Sequence, residues 1–205
     1  MRLKTTKDRR VGATDAAPLL GLGKWANARD VYERIVHNVR RPENAAMRRG
    51  TKAEPLVRSL YREAHPEVEL MAVVVRPFIL EHPDYVWATY SPDDLGDGLA
   101  VEYKTASRWV RWGGTPPVDY VLQCQWGMWV AGVSRAHLFV SFGEEDAPGG
   151  EWVTHSTALW DFTADAELQA EFARVGAHFW EFHVEGRRPP SMVAMNGRAK
   201  VEAVP

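Results

Sequence analysis

Residues 86–105 constrain the fold of this chain more than any other segment. Residues 86–90 and 99–105 are two runs of β-prone side chains, and the Asp97-Gly98 dipeptide between them is typical of tight hairpin turns. The pattern therefore predicts a hairpin that pairs a strand over Val86–Tyr90 with a strand over Leu99–Thr105.

Acidic side chains and one lysine are concentrated in this predicted hairpin. Side chains alternate across a strand, so Glu102 and Lys104 should share one face while Tyr103 points away, with Asp93 placed before the turn. Mg²⁺ prefers oxygen ligands and keeps bound waters, and a neighbouring ammonium can offset developing negative charge. This combination indicates a magnesium-dependent phosphodiester hydrolase. A solvated strand face after an ordinary Pro-Asp turn fits the same residues, so the pattern alone leaves both interpretations open.

Four sequence blocks extend the pattern over residues from about Arg9 to about Val140. They are Val11–Gly21, the segment Met47–Val57 with its Gly-x-x-x-Glu spacing, Ser91-Pro92-Asp93 with Glu102-Tyr103-Lys104, and Tyr120–Met128. In this order and spacing the blocks resemble the YqaJ-type viral recombinase family, a phage lambda exonuclease-like family within the PD-(D/E)xK nuclease superfamily.

The resemblance implies a fold and a set of roles. The fold is mixed α/β (α+β), with a restriction-endonuclease-like core in which helices flank a central mixed β-sheet. Mg²⁺ is the expected cofactor, with Mn²⁺ as a substitute. The implied metal ligands are Asp93, Glu102 and Glu54, the implied catalytic lysine is Lys104, and Gln123 contributes from a later helix.

Two positions depart from the family pattern. Asp94 stands where the family usually has glycine, so it can compete as a metal ligand, and Thr14 replaces the usual serine but keeps a hydroxyl. Glu54 also fits a second interpretation, a favourable charge near the start of a helix predicted over residues 52–65. Gln123 likewise fits a role in satisfying a backbone group within an apolar helix.

Charge is divided unevenly along the chain. Residues 1–62 carry 15 Lys and Arg against 6 Asp and Glu, a balance of +9, whereas the remainder has 10 against 21, a balance of −11. The basic end is where DNA phosphates are expected to bind. Arg9, Arg10 and Thr14 are candidates for a terminal phosphate, and further candidate DNA contacts are Ser91, Tyr120, Arg108, Trp109, Arg111 and Trp112. For the two tryptophans, packing on the domain is an alternative.

Residues 1–188 are predicted to form one nuclease domain, followed by a loose tail over 189–205. The lone cysteine, Cys124, is expected to be a core residue. A single cysteine cannot hold an iron–sulfur cluster, which excludes the cluster-bearing nucleases. Further predicted helices cover 15–20, 28–39, 118–131 and 165–185, and further strands cover 68–80, 137–142 and 152–156. No apolar run approaches membrane-spanning length, and a cytoplasmic location is expected.

The expected function is ATP-independent, because Gly21–Lys24 lacks the spacing of a phosphate loop. By resemblance it is a 5′ to 3′ exonuclease that acts on double-stranded DNA ends for phage-type recombination, as a homo-oligomer and with a single-strand annealing protein as partner. A nicking or structure-specific endonuclease and a non-catalytic DNA-end-binding module remain alternatives.

Overall fold

A computed structural model describes residues 9–39, 42–71, 78–108, 112 and 114–191. Its main feature is a four-stranded sheet in the order β3-β4-β5-β6. These strands are β3 (Asp94–Gly96), β4 (Leu99–Ser107), β5 (Arg135–Glu145) and β6 (Trp152–Thr163). Strands β4 and β5 run parallel and the other pairs are antiparallel, so the sheet is mixed. A separate two-stranded sheet pairs β1 (Leu80–Glu81) with β2 (Thr89–Tyr90).

Helices cover both faces of the larger sheet. The helices are α1 (Ala16–Leu19), preceded by a 3₁₀ turn at Ala13–Asp15, then α2 (Ala28–His37), α3 (Ala45–Ala64), α4 (Val118–Ala131) and α5 (Ala166–His178), which continues as a π-helix over Phe179–Glu185. The predicted mixed sheet flanked by helices is confirmed. No helix in the described part of the chain is long and apolar enough to cross a membrane.

Side chains alternate between the two faces of β4 and β5, and each face packs against a separate hydrophobic cluster. Ala100, Leu138 and Val140 face the larger cluster, which includes α4 and the first two helices. Val101 and Tyr103 face the smaller cluster, built with Val57, Tyr61 and other residues of α3. The sheet is thus a layer between α4 and α3, and β4 presents side chains to both.

Helix α4 approaches the strands unusually closely at Gly127. A Cβ atom at this position would lie 2.6 Å from the Tyr90 ring, so only glycine allows the contact. Beside it, Trp126 Nε1 donates to the Thr89 carbonyl at 2.9 Å. These contacts hold β2 against α4 and bring Tyr90 beneath the candidate site. Cys124 is buried in the same helix, as predicted.

The predicted hairpin is wrong in its first strand. The turn at Asp97-Gly98 forms, with Gly98 at φ +67°, but the strand that precedes it is Asp94–Gly96. Residues 89–90 pair with Leu80–Glu81 instead. The reason is Pro92, which lacks an N–H for a ladder and separates the two short strands.

Helix α3 begins at Ala45, seven residues before its predicted start. The Asn44 side chain accepts a hydrogen bond from Met47 N at 2.9 Å and caps the helix there. Glu54 therefore lies in the middle of α3, which removes the interpretation that it serves as a favourable charge at a helix start.

Other boundaries shift less. The predicted strand over 68–80 is confirmed only at Leu80 and at an isolated bridge of Leu70, and residues 72–77 lie outside the described part of the chain. Strands β5 and β6 are longer than predicted, and β6 continues to Thr163. The predicted helix over 118–131 has the predicted bounds. Of the tail, residues 192–205 lie outside the described residues.

Candidate active site

An open cleft of about 630 Å³ lies at the C-terminal end of β4, between the first half of α3 and the start of α4. Asp93, Lys104 and Glu54 line it together with Tyr120. Its remaining lining residues are Trp25, Asn44, Ala46, Met47, Arg49, Gly50, Thr51, Val57, Tyr103 and Thr105. Four residues far apart in the sequence that were predicted as site residues therefore share one cavity.

Glu102 is a buried carboxylate beside Lys104, with 1% of its surface exposed, and it does not itself line the cleft. Its Oε2 atom accepts hydrogen bonds from Lys104 Nζ at 2.9 Å and from Gln123 Nε2 at 2.7 Å. Its Oε1 atom is also buried but accepts no hydrogen bond of regular geometry from a described residue. Burial raises the pKa of Glu102, and the opposing effects of the Lys104 ammonium and the Tyr90 hydroxyl do not cancel this.

Lys104 shares the face of β4 with Glu102, as predicted, and its ammonium lies 5.7 Å from the centre of the Tyr120 ring. Burial alone would lower the pKa of Lys104, but the negative charges of Glu102 and Asp93 raise it above its usual range. In this state Lys104 is therefore protonated at neutral pH. It can donate hydrogen bonds and offset negative charge.

Asp93 immediately precedes β3, whose register pairs Asp94 with Val101. Its Oδ2 accepts a hydrogen bond from the backbone N–H of Tyr103 at 2.8 Å, which anchors the carboxylate beside Glu102. The negative charge of Asp93 is one of the causes that raise the pKa of Glu102, after burial. Two carboxylates are thus held close together at one end of β4.

Glu54 approaches the cleft from α3, on the opposite wall. Arg58, one turn further along the helix, donates to Glu54 Oε1 at 2.9 Å and with the same terminal nitrogen to the Asp93 carbonyl at 2.9 Å. One guanidinium therefore connects the helix that carries Glu54 to the turn that carries Asp93.

Asp94 is not among the residues that line the cleft. It is 1% exposed and faces α3, where its Oδ2 accepts from Arg58 Nε and from the Tyr103 hydroxyl, both at 2.8 Å. Alternation along β3 sends it away from Asp93. The negative charge beside Tyr103 contributes to raising the pKa of that phenol, after burial.

The described residues contain no cluster of three or more His, Cys, Asp and Glu side chains arranged to hold a metal. The donor set nevertheless suits a hard cation, because Asp93 and Glu102 offer carboxylate oxygens and Glu102 Oε1 has an unused acceptor position. Mg²⁺ typically binds one or two carboxylates and retains several waters. The residues present therefore fit the expected metal.

The candidate residues for a terminal phosphate lie near the N-terminus of the described chain. Arg10 forms an ion pair with Glu81 at 2.5 Å, whereas Arg9 and Thr14 are exposed. The helix that follows, α1, has four residues, too short for a substantial helix dipole. A phosphate contact here would rest on side chains, and it stays a prediction, as it does for the half-buried Ser91.

The aromatic and cationic segment before α4 is partly described. Trp112 packs against Tyr120, Phe142 and Trp160, with ring centres 5.2–5.8 Å apart. Arg108 pairs with Glu144 at 3.0 Å. These contacts favour the packing alternative for Trp112. Trp109 and Arg111 lie outside the described residues.

Sequence reasoning missed Arg58 and Tyr90, two residues that shape the site. Arg58 was detectable as the i+4 partner of Glu54 on a helix. Tyr90 was not detectable, because its place near Glu102 depends on the close approach of α4 at Gly127.

A Pro-Asp turn followed by a Glu-Tyr-Lys strand on a mixed sheet, with a glutamate from a preceding helix, places the fold in the PD-(D/E)xK nuclease superfamily. Residues 3–134, well over half of the 205, match the YqaJ-like viral recombinase domain. The chain belongs to that family. A search of curated proteins finds no significant match.

Solved structures of exonucleases have a similar fold. The alkaline exonuclease LHK-Exo from Laribacter hongkongensis, in complex with dAMP, is 21% identical, with 88% of this chain and 90% of that chain covered at a TM-score of 0.69. A phage-related exonuclease from Haemophilus somnus 129PT is 11% identical, with coverages of 87% and 95% and a TM-score of 0.66. At these identities the similarity establishes the fold.

Proposed function

We propose that this protein is a Mg²⁺-dependent, ATP-independent DNA exonuclease that degrades double-stranded ends from 5′ to 3′ and exposes single strands for phage-type recombination. The observation that supports this most strongly is the convergence of three residues at one end of β4: Asp93 and Lys104 line the cleft, and Lys104 Nζ bonds the buried Glu102 at 2.9 Å. Family membership and the similarity to exonuclease structures support the reaction class.

Asp93 and Glu102 would hold the metal ion, and Glu54 would supply a further oxygen from the opposite wall. Mg²⁺, or Mn²⁺ in its place, would provide Lewis-acid activation of the scissile phosphate and of a bound water. Arg58 keeps Glu54 and the Asp93 turn in a fixed relation through its bonds to both.

The remaining side chains each have a role that follows from their contacts. Lys104 Nζ carries a proton, so it offsets the charge that develops on the phosphate and orients water by donating hydrogen bonds. Gln123 holds Glu102 Oε2 from the side of α4, which leaves Oε1 for the cation. Tyr120 packs over the Lys104 ammonium and limits its movement.

The finer features of the proposal are the action on DNA ends, the direction of digestion, the oligomeric state and the annealing partner. The test compares end-labelled linear duplex with covalently closed circular DNA, with Mg²⁺ and with EDTA. Mg²⁺-dependent release of mononucleotides from linear DNA only is the expected result. Cleavage of the circle would contradict the exonuclease and favour an endonuclease. Binding without cleavage would favour a non-catalytic DNA-end-binding module.

A further inference from the structure

Helix α3, part of which lines the cleft, carries five cationic side chains, and four of them are already engaged with protein acceptors. Arg48 donates to the Glu43 carbonyl at 2.9 Å. Lys52 bonds the carbonyls of Gly149 and Gly150 and pairs with Glu151 at 2.9 Å. These contacts fix the start of α3 and attach it to the β5–β6 connection.

The two cations further along α3 are paired with the carboxylates of Asp94 and Glu54. Arg58 bonds Asp94 at 2.8 Å and also holds Glu54, and Arg62 lies 3.8 Å from the Asp94 carboxylate. Although the helix is rich in positive charge, most of that charge is therefore compensated within the protein.

Arg49 is different. It lines the cleft, and its Nε is shielded from solvent without a hydrogen-bond partner among the described residues. No described carboxylate forms an ion pair with it. Its guanidinium carbon lies 5.6 Å from the centre of the Trp152 ring.

Trp152 is a rigid platform for this arginine. It is 7% exposed, and its Nε1 donates to Ser141 Oγ at 2.8 Å. A guanidinium that packs on an aromatic ring keeps its N–H edge available for a planar, two-pronged contact with phosphate. Arg49 thus combines a fixed position, an uncompensated charge and unused donors within the cleft.

We propose that Arg49 binds a backbone phosphate of the DNA strand that occupies the cleft. This rests on the proposed function and assigns the strand contact to one side chain of the basic N-terminal third. The cleft otherwise presents the carboxylates of Asp93 and Glu54, which repel a polyanion, and the Lys104 ammonium, which is paired with Glu102. Arg49 supplies a positive charge on the same wall, five residues before Glu54, that no described carboxylate neutralises.

The test measures DNA affinity with Ca²⁺ in place of Mg²⁺, by fluorescence anisotropy over a range of salt concentrations. A charge-assisted bond to phosphate contributes about 1.5–3 kcal/mol, so Arg49→Ala should weaken binding roughly tenfold to a hundredfold. The slope of log affinity against log salt should fall by about 0.7–0.9, as expected for one phosphate contact. Arg49→Lys should restore the slope but only part of the affinity, because lysine lacks the planar fork.

Arg48→Ala is the matched control, since it removes the same charge from the neighbouring position, where the side chain bonds a carbonyl. It should leave the salt slope unchanged and weaken binding less than about threefold, as expected for a screened surface charge. Equal effects of the Arg48 and Arg49 substitutions would overturn the proposal. Arg49→Gln and Arg49→Lys form a second pair in case Arg49→Ala fails to fold, and equal salt slopes for these two would also overturn it.

The same experiments separate this inference from the proposed function. If the unmodified protein degrades DNA while the Arg48 and Arg49 variants bind alike, only the role of Arg49 is wrong. If the unmodified protein binds DNA through Arg49 but does not cleave it with Mg²⁺, only the proposed activity is wrong. An unmodified protein that does not bind DNA would overturn both.

Discussion

The two faces of the β3–β4 strand pair each hold a buried carboxylate, Asp94 on one face and Glu102 on the other, and the two have opposite hydrogen-bond environments. On the α3 face, Asp94 receives a guanidinium and a phenol hydroxyl at 2.8 Å. On the α4 face, Glu102 receives an ammonium and an amide on one oxygen only, and its Oε1 lacks a regular hydrogen bond.

This difference in hydrogen bonding indicates a structural role for Asp94 and a chemical role for Glu102. A buried charge is tolerated when it is paired and hydrogen-bonded, and an acceptor left unused carries a desolvation cost. The Asp94 network links β3 and β4 to α3. Glu102 Oε1, beside the cleft-lining Lys104, accepts no regular hydrogen bond from a described residue, and this is expected of a carboxylate that binds a ligand.

The largest expected effect is on the α4 face. Glu102→Gln keeps the shape but removes the charge that would hold the metal, so cleavage should fall by at least about a thousandfold, corresponding to several kcal/mol. The fold should be retained, because the glutamine amide oxygen can still accept hydrogen bonds from Lys104 and Gln123. Mononucleotide release under saturating Mg²⁺ and thermal melting measure the two effects. Near-normal cleavage would contradict the assignment of Glu102 as a metal ligand.

The matched change on the α3 face is Asp94→Asn. It should lower stability and have little effect on cleavage, the reverse of Glu102→Gln. Losing a charged partner of Arg58 should lower the free energy of unfolding by about 1.5–3 kcal/mol. Cleavage by the folded fraction should change less than tenfold, about 1.4 kcal/mol. Urea denaturation and cleavage at saturating Mg²⁺ check this pair of outcomes. A thousandfold loss of cleavage without loss of stability would contradict the structural role of Asp94.

Glu54 tests whether the wall of the cleft formed by α3 takes part in the chemistry. Glu54→Gln should raise the Mg²⁺ concentration for half-maximal cleavage about tenfold, in the range expected for groups that support a metal site. Activity should recover at high Mg²⁺, and stability should change by less than about 1 kcal/mol, since its pair with Arg58 is partly exposed. Unchanged kinetics across a Mg²⁺ titration would show that Glu54 forms only its ion pair with Arg58 and does not support a metal.

The smallest effect concerns His137, on the side of the sheet that contacts α3. Burial lowers the pKa of His137, and Asp161 opposes this while Arg135 adds to it. Its Nδ1 lies 2.7 Å from the Tyr61 hydroxyl, and burial raises the pKa of Tyr61 to about 12, so the phenol and the imidazole are both uncharged near neutral pH.

Because the pKa of His137 in the folded state is below its ordinary value of about 6.5, protonation favours unfolding. The contribution to stability is complete above about pH 6.5 and is lost as the pH falls towards the folded value. In urea denaturation between pH 7 and pH 5, stability should therefore decline less steeply for His137→Gln than for the unmodified protein. Equal pH slopes would show that other groups cause the decline.

Local patterns in the sequence determined much of this protein. The Asp97-Gly98 turn, the helix over 118–131 and the alternation of Glu102, Tyr103 and Lys104 depend on near neighbours, and all three are confirmed. The family blocks identified the fold and brought Asp93, Glu54 and Lys104 together as candidates. The domain limits and the DNA-contact residues stay predictions.

Only the tertiary structure decided how neighbouring residues of the same type differ. Asp93 and Asp94 are adjacent and chemically identical, yet Asp93 lines the cleft while Asp94 is bound by Arg58, 36 residues earlier in the chain. Gln123 supports Glu102, whereas Gln125 bonds the Thr163 carbonyl. Arg48 and Arg49 differ in the same way. The role of a charged or polar side chain is set by the partners that packing brings to it, and those partners come from distant parts of the chain that local sequence patterns do not reveal.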